Sequence, residues 1–80
     1  MTSIEEKIKN LREIKNFTQE FMAEKLGITQ AAYSKLESGN TKISYSKIEE
    51  ISNIFGIKVE ELLSFHSQKY FNSFNNVKGS

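Results

Sequence analysis

The sequence predicts an all-α fold made of short helices that are separated by single glycines. Apolar residues recur three and four positions apart along most of the chain, which is the spacing of one helix face. No stretch alternates polar and apolar residues at the two-residue period of a strand. Gly27, Gly39 and Gly56 each follow such a helical segment, where glycine ends a helix at low steric cost because it accepts a positive φ. We therefore expect five helices.

The first two helices are predicted from apolar spacing and from side chains that can cap them. Ser3-x-x-Glu6 has the spacing of a capping box at the start of a helix over about residues 3 to 15. Thr18 can cap a second, shorter helix from Gln19 to Leu26. The apolar face of the first helix consists of Ile4, Ile8, Leu11 and Ile14.

The last three helices are predicted from the same two signals. Thr29 can cap a third helix from Gln30 to Ser38. Ser44 and Ser46 are alternative caps of a fourth helix, and Ser46-x-x-Glu49 again has the spacing of a capping box. A short fifth helix follows the glycine that ends the fourth. The apolar residues of these last two helices are Ile48, Ile51, Ile54, Phe55, Val59, Leu62 and Leu63.

The composition argues against an enzyme, a metal site and a disulfide framework. The chain has no Cys and no Asp, so neither a Ser-His-Asp triad nor a thiolate zinc site can form. Its single histidine, His66, is expected to be exposed or at an interface. Paired glutamates such as Glu60 and Glu61 fall in the first turns of predicted helices, where they complement the helix dipole. We expect neither catalysis nor a cofactor.

Length and hydropathy predict one small domain in the cytoplasm. With 80 residues the chain has a thin core that would benefit from a partner subunit. Its apolar runs are far shorter than the ~20 residues that cross a bilayer, and the polar N-terminus has no signal-peptide stretch. The lack of cysteine agrees with a reducing compartment. The net charge of +1 counts, at first, against a nucleic-acid binder.

Residues 19–38 have the side chains that a tight crossing of two helices requires. Only the stretch from Leu26 to Thr29 joins the second helix to the third, and such a turn crosses two helices at about 90–120°. The crossing needs a small residue, which is Ala23, and a residue tolerant of positive φ four places later, which is Gly27. This pattern predicts a helix-turn-helix. The apolar side chains for its inward faces are Met22, Leu26, Ile28, Tyr33 and Leu36.

The outward face of the third helix separates two interpretations of this pattern. A generic helix corner with no nucleic-acid role is the alternative to a DNA-reading motif. The four residues on this face are Gln30, Ala31, Ser34 and Lys35, and no acidic residue precedes Glu37. Gln can bond adenine, Lys can bond guanine, and Ala can pack on a thymine methyl group. The face therefore favours base reading by these four residues.

Four stretches of the chain also follow the pattern of a known family. They are TQEFMAEKLGITQ at 18–30, LESG at 36–39, IFGI at 54–57 and EELL at 60–63. Through them the chain from Leu11 to Leu63 resembles the lambda-repressor-like helix-turn-helix family, of the Cro/repressor or XRE type. The resemblance implies a five-helix DNA-binding domain over residues 1–64, with its helix-turn-helix motif at 19–38. It further implies a transcription regulator of bacterial or phage origin, expected to be a repressor, that binds double-stranded DNA as a homodimer with its third helix in the major groove.

The resemblance assigns roles to single residues as well. Gln19, at the start of the second helix, would bond a phosphate, since helix starts present free N–H groups. Arg12 and Glu37 match a family pair that ties the first helix to the end of the third, for which we favour a structural role. The residues expected along the phosphates are Gln19, Thr29, Tyr33, Asn40, Thr41 and Lys42.

Three residues depart from the family pattern. Tyr33 stands where an aliphatic residue is more common, and either it stays within the core or its hydroxyl reaches a phosphate. Phe21 replaces a polar residue and is expected to pack beside Phe17 or to line an interface. Lys58 replaces the small capping residue before the fifth helix, which leaves the start of that helix open.

Residues 65–80 form a C-terminal extension that has no family match and no acidic residue. Three alternatives stay open for it: a homodimer contact, packing on its own domain or disorder, and a foreign protein partner. The last alternative gives a rival function, a protein-interaction module such as the antitoxin of a toxin–antitoxin pair. The aromatic side chains that motivate it are Phe65, Tyr70, Phe71 and Phe74.

The position of the charges weakens the argument from net charge. Glutamate pairs gather at the starts of three helices, whereas Gln19, Gln30, Lys35 and Lys42 are expected on a surface that includes no acid. The small total then predicts weak non-specific DNA binding and a reliance on dimerisation.

Overall fold

The computed structural model describes residues 2–65, and within that range all regular structure is helical. The five helices are α1 (Ile4–Ile14), α2 (Gln19–Leu26), α3 (Gln30–Ser38), α4 (Tyr45–Phe55) and α5 (Val59–Ser64). The predicted all-α class is confirmed, and each helix lies where the sequence predicts it. No helix in this part of the chain is long and apolar enough to cross a membrane.

Side chains cap the first three helices in the predicted way. The Ser3 hydroxyl accepts a hydrogen bond from the backbone N–H of Glu6, and the Glu6 carboxylate accepts one from the Ser3 N–H, so the capping box forms. Thr18 caps α2 and Thr29 caps α3, with oxygen-to-nitrogen distances of 2.9 and 3.1 Å. These local bonds satisfy N–H groups that the first turn of a helix leaves free.

The cap of α4 is Ser44, whose hydroxyl accepts from the backbone N–H of Lys47 at 3.1 Å. The expected capping box from Ser46 to Glu49 is wrong. Ser46 lies inside the first turn of α4 and therefore cannot be the residue that precedes it.

The start of α5 is held by half of a capping box. Lys58 precedes the helix, and its side chain accepts no hydrogen bond because lysine has no acceptor. The Glu61 carboxylate accepts from the backbone N–H of Lys58 at 2.8 Å. The departure from the family pattern at Lys58 thus leaves α5 in place but removes one of its caps.

A left-handed backbone conformation at Gly27 makes the sharp connection between α2 and α3. Its φ of +70° ends α2, and the N–H of Ile28 then donates to the carbonyl of Ala23 at 3.0 Å. A Cβ atom at Gly27 would meet no other atom within 4 Å. The glycine is therefore needed for its backbone conformation and not for space.

The core lies where α3 packs against α1 and α2, while α4 packs against α2 and α5, and α5 contacts α1. Its largest fully buried apolar side chains are Tyr33, Ile8, Met22, Ile51 and Leu62. A small domain with one such core depends on each of these contacts, since few others can compensate.

Phe65, the first residue of the predicted extension, is half-buried against this core. For Phe65 alone, this contact with the core agrees with the alternative in which the extension packs on its own domain. The other residues named for the extension, and the single histidine, lie outside the described range; they are His66, Tyr70, Phe71 and Phe74.

Candidate nucleic-acid interface

α2, the turn at Gly27 and α3 form the predicted helix-turn-helix. Ala23 is only 3% exposed where α2 packs on α3, so a larger side chain there would force the two helices apart. Of the predicted inward side chains, four are buried and Ile28 is partly buried; the buried ones are Met22, Leu26, Tyr33 and Leu36.

The first two turns of α3 present a polar face to solvent. Gln30, Ala31 and Lys35 are exposed, and Ser34 is half-buried. The one acidic residue of α3, Glu37, is 8% exposed and faces the interior. The residues predicted to read bases are therefore accessible and are not accompanied by an exposed carboxylate on the same helix.

A groove of about 370 Å³ brings base-reading and phosphate candidates together. Ala31 and Lys35 line it from α3, Thr29 from the cap of that helix, and Thr41 from the loop that precedes α4. Lys47, on the first turn of α4, also lines it and was not selected from the sequence. One sequence feature points to Lys47: a lysine near the start of a helix is unfavourable beside the helix dipole, which indicates that the side chain has another role.

The other phosphate candidates lie at the ends of α3. Asn40, Thr41 and Lys42 are exposed in the segment between α3 and α4. The Thr29 hydroxyl accepts the capping bond from Ala32 and keeps its own proton free to donate. These side chains are accessible, and their contact with DNA remains a prediction.

Gln19 has a partner inside the protein. It is half-buried, and its side-chain N–H donates to the Glu37 carboxylate at 3.1 Å. Because an amide nitrogen carries two hydrogens, one donor remains for a second acceptor. No local pattern predicts this bond, because it joins the first residue of α2 to the last turn of α3.

Arg12 and Glu37 form a two-point ion pair between α1 and α3. The distances are 2.7 Å from Nε to Oε2 and 3.0 Å from Nη2 to Oε1. The remaining terminal nitrogen, Nη1, donates to the carbonyl oxygen of Phe17 at 2.7 Å. The side chains are 11% and 3% exposed. A buried fork of this kind is directional and fixes how α1 lies against α3.

The bonds to Glu37 keep it ionised despite its burial. Burial alone would raise its pKa, but hydrogen bonds from Arg12 and Gln19, with Tyr33 close by, outweigh that effect and hold the pKa of Glu37 below its ordinary value. The bond to Glu37 in turn raises the pKa of Arg12. Both groups are therefore charged at neutral pH.

Tyr33 cannot contact a phosphate, and that prediction is wrong. Its side chain is fully buried, and its hydroxyl has no hydrogen-bond partner of good geometry among residues 2–65. The physical reason is helical spacing: Leu36 and Glu37 lie three and four residues later, so Tyr33 shares their inward side of α3. Burial, and the nearby Glu37 carboxylate, raise the pKa of Tyr33 far above its usual range.

Two glutamates border the reading face, which corrects the expectation of a surface without acid. Glu20 and Glu24 line a groove of about 460 Å³ together with Gln30. They are four residues apart on α2 and therefore lie on the same side of it. The expectation counted the paired glutamates at helix starts and the charges of α3, whereas Glu20 and Glu24 stand singly in the sequence and lie on the neighbouring helix.

Phe21 takes the first of its two predicted positions. Its ring centroid lies 4.6 Å from that of Phe17, and Lys25 Nζ lies 5.5 Å from the ring centroid.

In residues 2–65 there is no group of His, Cys, Asp or Glu side chains that could hold a metal ion.

The chain is similar in sequence to known helix-turn-helix proteins. The Helix-turn-helix family profile matches residues 8–62. The chain is 39% identical over 64 residues to the uncharacterized HTH-type transcriptional regulator YqaE of Bacillus subtilis, which covers 80% of this chain and 55% of that protein. It is 42% identical over 59 residues to the HTH-type transcriptional activator BcrR of Enterococcus faecalis. That alignment covers 74% of this chain and 29% of the activator.

A third relative, an uncharacterized HTH-type transcriptional regulator of Methanocaldococcus jannaschii, is 30% identical over 63 residues, which covers 79% of this chain and 96% of that protein. The chain thus spans about half of the first relative's length and less than a third of the second's. No solved structure matches it.

Proposed function

We propose that this chain binds double-stranded DNA with sequence preference through α3. The premise is its family: the chain belongs to the XRE-type helix-turn-helix family of DNA-binding transcription regulators. The observation that carries the proposal is the exposed, polar first half of α3 beside a fixed turn. An α-helix fits the major groove, where each base pair presents a distinct set of donors and acceptors.

The side chains of this face supply different base contacts. Gln30 can bond the N6 and N7 atoms of adenine, and Lys35 can donate to O6 or N7 of guanine. Ala31 lines an apolar groove beside α3, where a thymine methyl group can pack. Ser34 is half-buried and can reach a base only from the edge of the face.

Phosphate contacts would fix α3 in register. Lys42 and the exposed residues before it flank the C-terminal end of α3, and Gln19 has one donor left at the start of α2. The free N–H groups of a helix start favour an anion at that position. Such contacts position the protein and carry no sequence information of their own.

We further propose a homodimer that acts as a repressor in the bacterial cytoplasm. One α3 reads only a few base pairs, whereas a dimer would place two such helices about 34–36 Å apart on one side of the DNA. Occupying promoter DNA is sufficient to repress transcription, without any further surface. Sedimentation of the full chain, whose mass is 9.2 kDa, tests the dimer: a mass that stays at one chain on operator DNA would contradict it.

The decisive experiment is selection of bound duplexes from random DNA with the full chain. We expect an enriched motif with two related half-sites, and no enrichment would overturn the proposal. Lys35→Ala should lower affinity for the selected site by about 10–100-fold and relax the base preference at one position of each half-site.

A matched lysine separates base reading from phosphate contact. Lys42→Ala should weaken binding to all sequences alike and reduce the slope of log affinity against log salt by about 1 per chain. Lys9→Ala, on an exposed position of α1, is the control that should leave binding unchanged. If Lys35→Ala and Lys42→Ala behaved identically, the assignment of Lys35 to base reading would be wrong.

A further inference from the structure

A groove of about 630 Å³ runs between α4 and the first turn of α5, and none of the proposed DNA contacts lines it. It is referred to below as the α4–α5 groove. Its walls combine apolar side chains with carboxylates. The residues that define it are Tyr45, Ile57 and Val59 on the apolar side and Glu49, Glu50 and Glu60 on the acidic side.

The apolar side of this groove is incompletely covered. Tyr45, at the first position of α4, is 62% exposed, and its ring makes no aromatic contact with another residue of 2–65. Val59 is half-exposed and does not pack on the core. An aromatic segment laid over these side chains would remove apolar surface from water.

The charge of the groove narrows what can bind there. Among residues 2–65, Glu50 is the one of its three carboxylates with a cation in an ion pair, Lys47 at 3.6 Å, and Lys58 is the one basic residue in the lining. DNA would be repelled. A second copy of the chain docked through this groove by two-fold symmetry would bring two acidic grooves together. The groove therefore suits a segment that is aromatic and basic.

We propose that residues 66–80 of the same chain occupy the α4–α5 groove. All ten glutamates precede this segment, which contains Lys69 and Lys78 and no acidic residue. It also carries the aromatic side chains Tyr70, Phe71 and Phe74. Among the three alternatives for the extension, this selects packing on its own domain over a homodimer contact or a foreign partner.

The covalent connection makes such docking feasible. Residues 66–80 can extend to about 50 Å, whereas α5, which separates the segment from the groove, is only about 9 Å long. A short tether also gives an effective concentration in the millimolar range, so a weak contact suffices. Aromatic burial supplies most of the attraction, and the lysine–glutamate pairs, being exposed, mainly set the position of the segment.

Paramagnetic relaxation in the full chain tests this proposal, because the protein has no cysteine of its own. A nitroxide at Asn53→Cys, an exposed residue in the groove lining, should broaden the amide signals of Tyr70, Phe71 and Phe74. The same label at Lys9→Cys on α1 is the control and should broaden them much less. Glu49→Lys together with Glu60→Lys should weaken docking by about tenfold and restore those signals, whereas Glu24→Lys on α2 should not.

Three results would overturn the proposal. Equal broadening from the two labels would mean that the segment has no preferred site. Broadening that occurs only when labelled and isotope-enriched chains are mixed would assign the groove to a second copy. Unchanged broadening after Phe71→Ser with Phe74→Ser, a change that leaves the described core intact, would remove the aromatic basis of the docking.

Discussion

Glu37 is the residue through which three separate segments meet. Its two carboxylate oxygens accept hydrogen bonds from Arg12 on α1 and from Gln19 at the start of α2, while the residue itself belongs to α3. Arg12 extends this network to the carbonyl of Phe17. A single buried carboxylate therefore links the helix proposed to read bases to a residue proposed to hold a phosphate.

Removing this carboxylate should destabilise the fold. Glu37→Gln leaves the buried Arg12 charge with the half-exposed Glu13 carboxylate, 3.9 Å from Nη2, as its one counter-ion among residues 2–65. We therefore expect a loss of up to about 3–5 kcal/mol in the free energy of unfolding. The double variant Arg12→Met with Glu37→Leu removes both charges and should lose less than Glu37→Gln alone. Denaturant unfolding of the two variants measures the difference. A double variant that lost as much stability as Glu37→Gln, or more, would contradict this expectation.

The depressed pKa of Glu37 predicts an acid-dependent loss of stability. In the unfolded chain this carboxyl titrates near its ordinary value, about 4.3, whereas in the folded protein it titrates lower. Its contribution is therefore fully present above that ordinary value and disappears as the pH falls through the folded pKa. As the pH drops below about 4, the urea concentration at the midpoint of unfolding should decrease in the wild type and should change less in Glu37→Gln. Parallel pH profiles of the two proteins would contradict this expectation.

The hydroxyl of Tyr33 should be dispensable both for DNA binding and, within limits, for stability. In the described part of the chain it is buried without a hydrogen-bond partner of good geometry, so Tyr33→Phe removes a group that folding has desolvated at a cost. We expect stability within about 1 kcal/mol of the wild type and unchanged affinity for the selected duplex. Tyr33→Ala, which also removes the ring, should cost about 3–5 kcal/mol. A specific loss of DNA affinity in Tyr33→Phe would restore the phosphate contact.

At the scale of the helices, local signals were sufficient for prediction. Ser3, Thr18, Thr29 and the glycines act through bonds and backbone conformations within four residues, and such information is present in the sequence itself. The alternative between Ser44 and Ser46 stays open in the sequence because both have the right residue type, and in the structure Ser44 is the cap. What was missed is non-local: the bond from Gln19 to Glu37 and the glutamates of α2 beside Gln30 both depend on how one helix lies on another.

The start of α5 offers a prediction about a single element. Since Lys58 has no side-chain acceptor, one N–H group of the first turn lacks the cap that α2, α3 and α4 have. Lys58→Ser should complete the capping box with Glu61 and raise the free energy of unfolding by about 0.5–1 kcal/mol. Ser44→Lys, the reverse change at α4, should lower it by a similar amount. A thermal melt of both variants measures this, and the absence of a gain in Lys58→Ser would mean that water already satisfies that group.

At the scale of the whole molecule, charge is distributed by face. The net charge of +1 is a sum over surfaces of different charge. The reading face of α3 has no exposed acid, whereas the adjacent groove contains Glu20 and Glu24 and the α4–α5 groove is acidic. The groove that contains Glu20 and Glu24 would lie near the DNA if α3 enters the major groove of the duplex. It would then lower the affinity for every sequence while leaving the base contacts of α3 to determine the preference.

Neutralising these two glutamates should therefore strengthen DNA binding without changing its specificity. For Glu20→Gln with Glu24→Gln we expect an increase of about threefold to sixfold at low salt for selected and random duplexes alike, because two charges that repel phosphates are removed. The gain should shrink as salt approaches 0.15 M, where the screening length falls to about 8 Å. Glu49→Gln in the α4–α5 groove is the control and should have no effect. A change confined to one base position would instead identify a glutamate that accepts a hydrogen bond from cytosine N4, and α2 would then take part in reading the groove.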